Sequence, residues 1–341
     1  MLELPPIALT MGDAAGVGPE IILALLGSHP LAAQAHIYGS RHLLNLTLDH
    51  LARRDHRWDR IKPLLADATV VDVDHRLPDH AADAIRSLSA LPFGQHFPPF
   101  GHLQGAALEA AIDDAMAGKL RALCTAPLNK ALFDTAGLPP TGHTEILAER
   151  SGAPRHVMML AGDRLRVALT TTHLPLADVA RKLSVERILD TITLTHDSLR
   201  RLWRIPSPRI AVAALNPHAG EQGTMGDEEL RTIAPAIALA RAEGVDASGP
   251  WPADTLFAKA HPERAWPFDA VVCMYHDQAL IPLKLLHFGR SANITLGLPF
   301  VRTSVDHGTA YDIAGRGEAE AGSLAYALEL AASLSDANAA R

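Results

Sequence analysis

Short apolar runs alternate with amphipathic stretches along the first half of the chain. IALTM, beginning at Ile7, is followed by PEIILALLG, and HIYG, beginning at His36, is followed by RHLLNLTLDHLARR. TVVDV, QGAALEAAIDDAMAG and ALCTAP continue the series. Runs of branched apolar residues are typical of strands buried on both faces, whereas an apolar residue at every third or fourth position is typical of helices. The pattern therefore predicts strands and helices in alternation.

The second half of the chain continues this alternation. Strands are predicted around a short turn in VMMLAG and RVALTTT, and again in IAVAAL, AVVCMYH and ANITLGL. Helices are predicted in VERILDTITLTHDSLRRLW, DEELRTIAPAIALARAEG and AGSLAYALELAASLSD. Pro235 predicts a break in the second of these helices, because a proline inside a helix removes a backbone hydrogen bond.

Together these elements predict an α/β protein with a mostly parallel sheet flanked by helices. We expect one unit over residues 1–341, built from two interleaved α/β lobes with a cleft between them. The chain is expected to cross between the lobes near residues 125–145 and near residues 215–220. No tandem repeat or low-complexity linker interrupts this arrangement.

Composition narrows the possible functions. The chain has 341 residues, of which 48% are hydrophobic, and a formal net charge of -7 without long runs of one sign. This balance argues against binding to nucleic acid or to an anionic membrane. No stretch reaches the roughly 20 consecutive apolar residues of a membrane span. The charge balance therefore favours a small soluble substrate. Cys124 and Cys273 lie in apolar runs without the spacing of a zinc or redox site, so we expect buried free thiols in a cytoplasmic protein.

Three histidines follow three of the predicted strands. His173 follows RVALTTT, His218 follows IAVAALNP, and His276 follows AVVCMY. In open α/β sheets, ligands bind beyond the carboxyl ends of the strands. Taken singly, each residue is more simply a surface or core histidine, because the chain has 18 histidines. Their shared position nevertheless predicts a three-ligand site for zinc or a similar divalent metal, with an open coordination position for a substrate.

Cationic and hydroxyl groups stand near other strand ends. TAPLNK ends at Lys130, TGHTE begins a predicted helix at Thr141, and IPLK contributes Lys284. LGLPFVRTSVDHGTA adds Arg302. Taken singly, such a charge is more simply solvated at the surface. Together with helix N-termini, these groups suit a phosphate or carboxylate ligand.

Two glycine-rich segments do not match a known nucleotide fingerprint. MGDAAGVGPE lacks GxGxxG because Ile21 stands where the third glycine would fall, and the chain has neither GxxxxGK[ST] nor GxSxG. NPHAGEQGTMGDEE is compatible with a phosphate-binding loop, a metal site or a simple turn. Its glycines let the backbone turn closely, and Asp227 with the two glutamates after it predicts a helix start.

Eight motifs occur in one order along nearly the whole chain: MGDAAGVGPE, TAPLNK, TGHTE, TTHLPL, LNPHAGEQGTMGDEE, PADTLF, MYHDQALIPLK and NITLGLPFVRTSVDHGTAYDIAGRG. In this respect the chain resembles the 4-hydroxythreonine-4-phosphate dehydrogenase family of pyridoxal phosphate biosynthesis. The resemblance implies the isocitrate/isopropylmalate dehydrogenase type of fold, with two α/β lobes around a cleft. It also implies NAD or NADP binding without GxGxxG, and a homodimer with the active site at the subunit interface.

The resemblance also implies roles for individual residues. The family's metal ligands correspond to His173, His218 and His276, which are the histidines at the predicted strand ends. The family's substrate contacts correspond to His143, Thr144, Lys284, Asn293 and Arg302. Lys284 is also expected to act in catalysis together with Asp254 of PADTLF, and the cofactor is expected beside Gly220, Gly223 and Gly226. Two departures from the family pattern, Ala14 and Ala279, lie beside motifs and put only loop detail in doubt.

The implied reaction is a metal-dependent oxidation of the secondary alcohol of 4-(phosphooxy)-threonine by NAD or NADP. The resulting 3-oxo acid would lose carbon dioxide to give 3-amino-2-oxopropyl phosphate. Relatives resembling this chain oxidise 4-phosphorylated threonate or erythronate, or aromatic cis-dihydrodiols. The GHTE and RTSVDHGTA motifs favour a phosphorylated acyclic substrate over a dihydrodiol. Threonate and hydroxythreonine differ by a hydroxyl in place of an amine, and no residue decides between them. Phosphate acyl transfer, which needs no metal, is disfavoured by the three histidines.

Overall fold

The computed structural model describes residues 4–135, 137, 143–261, 263 and 265–339. The side chains of residues 135, 143, 145 and 337–339 are outside this description. None of the helices formed by the described residues is long and apolar enough to cross a membrane.

Strands and helices alternate as the sequence predicts. The strands are β1 (Ile7–Thr10), β2 (His36–Gly39), β3 (Val70–Asp72), β4 (Ala122–Thr125), β5 (Val157–Ala161), β6 (Arg166–Leu169), β7 (Ile210–Ala213), β8 (Ala247–Trp251), β9 (Ala270–Cys273), β10 (Ala292–Leu296) and β11 (Val301–Ser304). The helices are α1 (Gly18–Leu26), α2 (Arg41–Arg54), α3 (Ile61–Asp67), α4 (Asp79–Arg86), α5 (Pro99–Met116), α6 (Lys130–Thr135), α7 (His143–Ser151), α8 (Leu176–Lys182), α9 (Val185–Leu202), α10 (Ala234–Ala242), α11 (Ala253–Ala258), α12 (His276–His287) and α13 (Gly322–Ala339).

The chain divides into two compact units, and unit 1 contains the first strands along the chain together with the last one, β11. It consists of Met1–Ala153 and Leu298–Asp336. Its strands lie in the order β3-β2-β1-β4-β11, and the neighbours are parallel. β1 and β4 are fully buried, which explains why they read as continuous apolar runs.

Unit 2 is formed by Pro154–Gly297 together with the last residues from Ala337. Its strands lie in the order β10-β5-β6-β9-β7-β8. β5 is antiparallel to both β10 and β6, whereas β6, β9, β7 and β8 pair in parallel. Apolar side chains of β6, β7 and β9 form its core with Ala279 and Leu283 of α12. The α/β fold class predicted from the sequence, with a mostly parallel sheet, is confirmed.

The chain changes unit after Ala153 and after Gly297, whereas the sequence predicted crossings near 125–145 and 215–220. The first predicted stretch stays in unit 1, since α6 and α7 both contact α5. The second stays in unit 2 because it follows β7 and is hydrogen-bonded to Glu229. Both crossings were predicted at loops that carry candidate site residues. Packing of the neighbouring helices, however, decides where a unit ends.

At the break predicted for Pro235, the helix changes its type but does not stop. Residues Glu229–Ile233 form one turn of π-helix, and α10 begins at Ala234 with Pro235 in its first turn. Backbone N–H groups in the first turn of a helix have no partner within that helix, so proline is tolerated there.

Two short strands were not predicted. β8 contains Gly249 and Pro250, which normally indicate a turn. Proline is tolerated in β8 because this strand lies at the end of the strand order. β11 holds Arg302, a charged residue that does not suggest a buried strand. Its place beside β4 is decided by contacts from a distant part of the chain.

Candidate functional site

The three strand-end histidines of unit 2 follow neighbouring parallel strands. β9 lies between β6 and β7, so His173, His276 and His218 all come after strands that end at the same edge. Beyond β6, the N–H of Thr170 donates to the carbonyl of Cys273 at 2.9 Å, and the Thr171 hydroxyl donates to the carbonyl of Met274 at 2.7 Å. The exits of β6 and β9 therefore remain paired up to the residues before the histidines.

This pairing brings two of the imidazole rings together. The ring centroids of His173 and His276 are 5.5 Å apart. His276 is the first residue of α12, and its Nδ1 lies 2.7 Å from Oδ1 of Asp277. A carboxylate on one ring nitrogen fixes the orientation of the imidazole and leaves the other nitrogen to bind a metal. This pair therefore has the donor chemistry of a metal site.

His218 lies in a backbone turn of unusual hand. His218, Ala219, Gly220, Glu221 and Gln222 have φ values of 52°, 55°, 75°, 42° and 55°. Left-handed conformation costs about 1–2 kcal/mol at each residue other than glycine. The turn is closed by the N–H of Met225, which donates to the carbonyl of Gly220 at 3.0 Å. Strain kept over four non-glycine residues is typical of functional loops.

The described residues do not gather all three histidines into one cluster. Within that part of the chain, no group of three or more His, Cys, Asp or Glu side chains is placed to hold a metal ion. The His218 side chain is exposed. His173 and His276 are thus brought together, and His218 is a neighbour of theirs by strand order alone.

A buried carboxylate, Glu229, holds the start of the His218 loop. Glu229 is 2% exposed, and its Oε1 accepts hydrogen bonds from the N–H groups of Leu215 and Asn216 at 2.8 and 2.7 Å. Its Oε2 accepts from the Asn216 amide at 2.9 Å. A Cβ at Gly220 would lie 2.6 Å from this oxygen, so only glycine fits there. The sequence suggested only that Glu229 lies at the start of a helix. In the structure, Glu229 also binds the loop to the end of β7.

Gln278 joins the strand ends that precede His276 and His218. Its Oε1 accepts from the N–H of Met274, just after β9, at 2.7 Å. Its Nε2 donates to the carbonyl of Ala214, just after β7, at 2.6 Å. Gln278 is 8% exposed, so water is largely excluded from these bonds. Sequence reasoning singled out His276 in MYHDQ and missed Gln278, although both belong to the same motif.

The other predicted residues of unit 2 lie on three elements. Asp254 is exposed in the first turn of α11, a helix that contacts the His218 loop. Lys284 is half-buried in α12, the helix that begins with His276. Asn293 is half-buried on β10, and its Oδ1 is buried without a hydrogen-bond partner among the described residues. An acceptor in that state suits a ligand that donates a hydrogen bond.

In unit 1, Arg302 is the largest fully buried side chain, with 2% exposure on β11. Its Nη2 donates to Oγ1 of Thr125, at the end of β4, at 2.8 Å. Thr144 is also buried, in the first turn of α7, whereas the His143 side chain lies outside the described residues. A buried guanidinium beside a strand end has the chemistry of a phosphate or carboxylate site.

A second buried carboxylate, Asp13, connects three motifs in unit 1. The Tyr311 hydroxyl donates to Asp13, the Asn129 amide donates to the Tyr311 oxygen at 2.7 Å, and the N–H of Ala15 donates to Asp13 at 3.0 Å. Burial raises the pKa of Asp13 above its ordinary value, and the hydrogen bonds from Tyr311 and Ala15 oppose this shift. Sequence reasoning missed this network because its members are far apart in the chain.

Both cysteines are free and buried, as the sequence suggested. Burial raises the pKa of the Cys124 thiol to about 12, with the nearby Thr303 and Arg302 opposing the shift. Burial also raises the pKa of the Cys273 thiol. Neither thiol is a nucleophile at neutral pH, because only the thiolate reacts.

Comparison with known proteins decides the family. The family of pyridoxal phosphate biosynthetic proteins PdxA matches the chain over residues 31–331. The chain belongs to the PdxA family. Its relatives include a 4-hydroxythreonine-4-phosphate dehydrogenase from Desulforapulum autotrophicum, with 45% identity over 332 residues that cover 96% of this chain and 95% of the relative. The resemblance inferred from the motifs is confirmed.

Solved structures of similar proteins support the same assignment. The 4-hydroxythreonine-4-phosphate dehydrogenase from Klebsiella pneumoniae has a TM-score of 0.81 and 38% identity, covering 97% of this chain and 99% of that one. A terephthalate 1,2-cis-dihydrodiol dehydrogenase from Burkholderia xenovorans LB400 has a TM-score of 0.63 and 25% identity, covering 97% and 98%. Within the PdxA family's structural relatives, the hydroxythreonine phosphate enzyme is therefore the more similar of these two.

Replacing Glu229 by glutamine should loosen the His218 loop. The variant leaves only a neutral amide oxygen for the N–H groups of Leu215 and Asn216, and it puts a donor where Oε2 now accepts from the Asn216 side chain. Hydrogen bonds to a charged group are worth about 1.5–3 kcal/mol each. Hydrogen exchange measured by mass spectrometry should become at least about tenfold faster at Leu215 and Asn216. Glu221→Gln, at an exposed position in the same loop, should leave this exchange unchanged. Equal exchange rates in the two variants would contradict the role assigned to Glu229.

Proposed function

We propose that this chain is a 4-hydroxythreonine-4-phosphate dehydrogenase. The observation that carries the proposal is its near full-length similarity to proteins of that name, at 45% identity. The enzyme oxidises the secondary alcohol of 4-(phosphooxy)-threonine: a hydride passes to the nicotinamide of NAD or NADP, and the hydroxyl proton leaves to a base. The 3-oxo acid then loses carbon dioxide and takes up a proton, giving 3-amino-2-oxopropyl phosphate.

We propose that His173, His218 and His276 bind the divalent metal that this reaction uses, with zinc as the first candidate and magnesium or cobalt as others. The 5.5 Å approach of two rings and the carboxylate on His276 support this assignment. His218 follows the strand beside theirs, and joining them requires its strained loop to adjust. When bound, such an ion lowers the pKa of an alcohol and stabilises developing negative charge on oxygen.

The anionic ends of the substrate are assigned to unit 1 residues. Arg302, held by Thr125, suits a phosphate or carboxylate, and Thr144 adds a buried donor at the start of α7. His143 is assigned to the same substrate contact on the resemblance to the family alone. Among the unit 2 residues, Asn293 has a buried acceptor oxygen, and Lys284 brings a cation to α12. We assign proton removal to Lys284 with assistance from Asp254, which lies on the helix in contact with the His218 loop.

The dinucleotide is assigned to the loop with Gly220, Gly223 and Gly226, whose φ values are 75°, 92° and 110°. Such a loop brings backbone N–H groups close to a ligand without side chains in the way. NAD and NADP are both compatible with this assignment. A cytoplasmic location is proposed from the two free, buried thiols.

We further propose that the chain works as a homodimer with its active site at the interface. An apolar stripe on α12 and its C-cap residue supports this, because Ile281, Leu285 and Phe288 are 66%, 84% and 84% exposed. Their spacing of four and three residues places them on one helix face. Exposed apolar groups of this kind are typical of protein interfaces. The same helix carries His276 and Lys284, so a partner covering the stripe would lie beside proposed site residues.

The substrate assignment is tested by the rate of NADH or NADPH formation in the presence of a divalent metal. 4-(Phosphooxy)-threonine should be oxidised faster than 4-phosphothreonate, 4-phosphoerythronate or an aromatic cis-dihydrodiol. Higher turnover on a sugar-acid phosphate would move the chain to the catabolic alternative. Turnover on the dihydrodiol alone would overturn the assignment to a phosphorylated substrate.

Replacing His218 by alanine should lower both bound metal and reaction rate. The loss of a ligand should reduce NADH formation by at least about 100-fold, since even residues that only orient ligands contribute 10–100-fold. Metal content is measured by elemental analysis, and His75→Ala, at an exposed position, is the control. If His218→Ala retains the metal content of the unmodified chain, the three-histidine assignment is wrong.

Replacing Leu285 by glutamate should convert the dimer to a monomer, because it places a charge in the centre of the apolar stripe. Molar mass is measured by light scattering after size-exclusion chromatography. Leu64→Glu on α3, where the side chain is 41% exposed, should leave the mass unchanged. A Leu285→Glu chain with the mass of a dimer would show that α12 is not the interface.

A further inference from the structure

A groove lined by arginines in unit 1 lies among residues that the proposed reaction does not use. Two cavities of about 490 and 280 Å³ share Arg57, Trp58 and Gly317 as lining residues. Arg54 and Arg316 line the first, and Arg60 lines the second. We call this region the Trp58 groove. A cavity of several hundred Å³ is in the size range of small-molecule sites.

The groove carries excess positive charge in a chain whose net charge is -7. Four arginines line it against two carboxylates, Asp55 and Glu318. Asp55 is occupied by Arg57, whose Nη2 lies 2.6 Å from its Oδ2. The nearby Asp59 is also occupied, with Lys62 at 3.0 Å. The carboxylates around the groove therefore neutralise only part of its charge.

The other three arginines have no such partners. Within the part of the chain that the structure describes, no residue forms a hydrogen bond or ion pair with the side chains of Arg54, Arg60 or Arg316. Arg54 and Arg316 thus have their donors available around the first cavity, and Arg60 has its donors available around the second, on the other side of the shared Trp58 and Gly317. Guanidinium groups are the preferred protein donors to phosphate, because two of their N–H groups can bind it at once.

Helix ends do not account for all three of these arginines. Arg54 is the last residue of α2, where a cation is stabilised by the helix dipole. Arg60 is both the last residue of a 3-10 helix, His56–Arg60, and the N-cap of α3, so a helix end that favours a cation meets one that disfavours it. Arg316 lies in the loop before α13, outside any helix.

The groove is also rigid on the side that carries Arg316. Glu20, which is 1% exposed, accepts hydrogen bonds from the N–H groups of Gly315 at 3.0 Å and Ala319 at 2.9 Å. Gly317 is close to the indole of Trp58, because a Cβ there would lie 3.3 Å from Nε1. The indole and the Arg316 loop are therefore held together before any ligand binds, which reduces the entropy lost on binding.

We propose that the Trp58 groove binds a mononucleotide, with its phosphate on the unpaired arginines and its base against Trp58. Aromatic side chains bind bases by stacking, and arginines bind the phosphate. This site is separate from the dinucleotide site assigned to the glycine loop of unit 2. It therefore gives the protein a second nucleotide site, outside its proposed reaction.

Calorimetric titration of the full chain with AMP tests the proposal, in saturating NAD so that the dinucleotide site is filled. AMP should bind at one site per chain, more tightly than inorganic phosphate or adenosine. Arg316→Ala and Arg60→Ala should each weaken binding by about tenfold or more, as expected for the loss of a charge-assisted hydrogen bond. Trp58→Leu should weaken AMP binding but not phosphate binding.

The matched control is Arg53→Ala, an exposed position in the last turn of α2 that does not line the groove. It should bind AMP as the unmodified chain does, and all variants should retain the same thermal unfolding midpoint. Absence of AMP binding at millimolar concentration would overturn the proposal. So would equal affinity for AMP and phosphate, displacement of AMP by NAD, or unchanged affinity in Arg316→Ala and Arg60→Ala.

Discussion

A parallel strand that ends inside a protein leaves backbone N–H and C=O groups that must find other partners. In unit 2, this requirement is met by two buried side chains. Glu229 binds the two N–H groups after β7, and Gln278 binds one group after β7 and one after β9. The loops carrying His218 and His276 are therefore positioned by the same hydrogen bonds that satisfy the strand ends. The candidate site depends on this constraint.

Unit 1 meets the same requirement with different residues. Asp13 accepts from Ala15 and Tyr311 beyond β1, and Glu20 holds two N–H groups of the loop after β11. Asn129, beyond β4, completes the network through Tyr311. These residues belong to motifs that identify the family, so part of what makes the motifs recognisable is the closure of strand ends.

The chain order of strands differs from their spatial order, and this difference explains what sequence reasoning could reach. Buried strands such as β1, β4 and β7 were predicted because they are uniformly apolar. β11 was missed because Arg302 interrupts its pattern, and β8 because it contains Gly-Pro. The histidines were identified since each directly follows a strong strand signal. Glu229 and Gln278 were missed because nothing local distinguishes a buried polar residue that binds distant backbone from an exposed one.

The sequence by itself determined the α/β alternation, the family, and the histidines that follow three strands. Periodicity and motifs are local properties, so they can be read without knowing the partners. The tertiary structure decided that β9 lies between β6 and β7, that the rings of His173 and His276 meet, and that the His218 turn is left-handed. These features depend on hydrogen bonds and packing between residues far apart in the chain, and no local pattern encodes them.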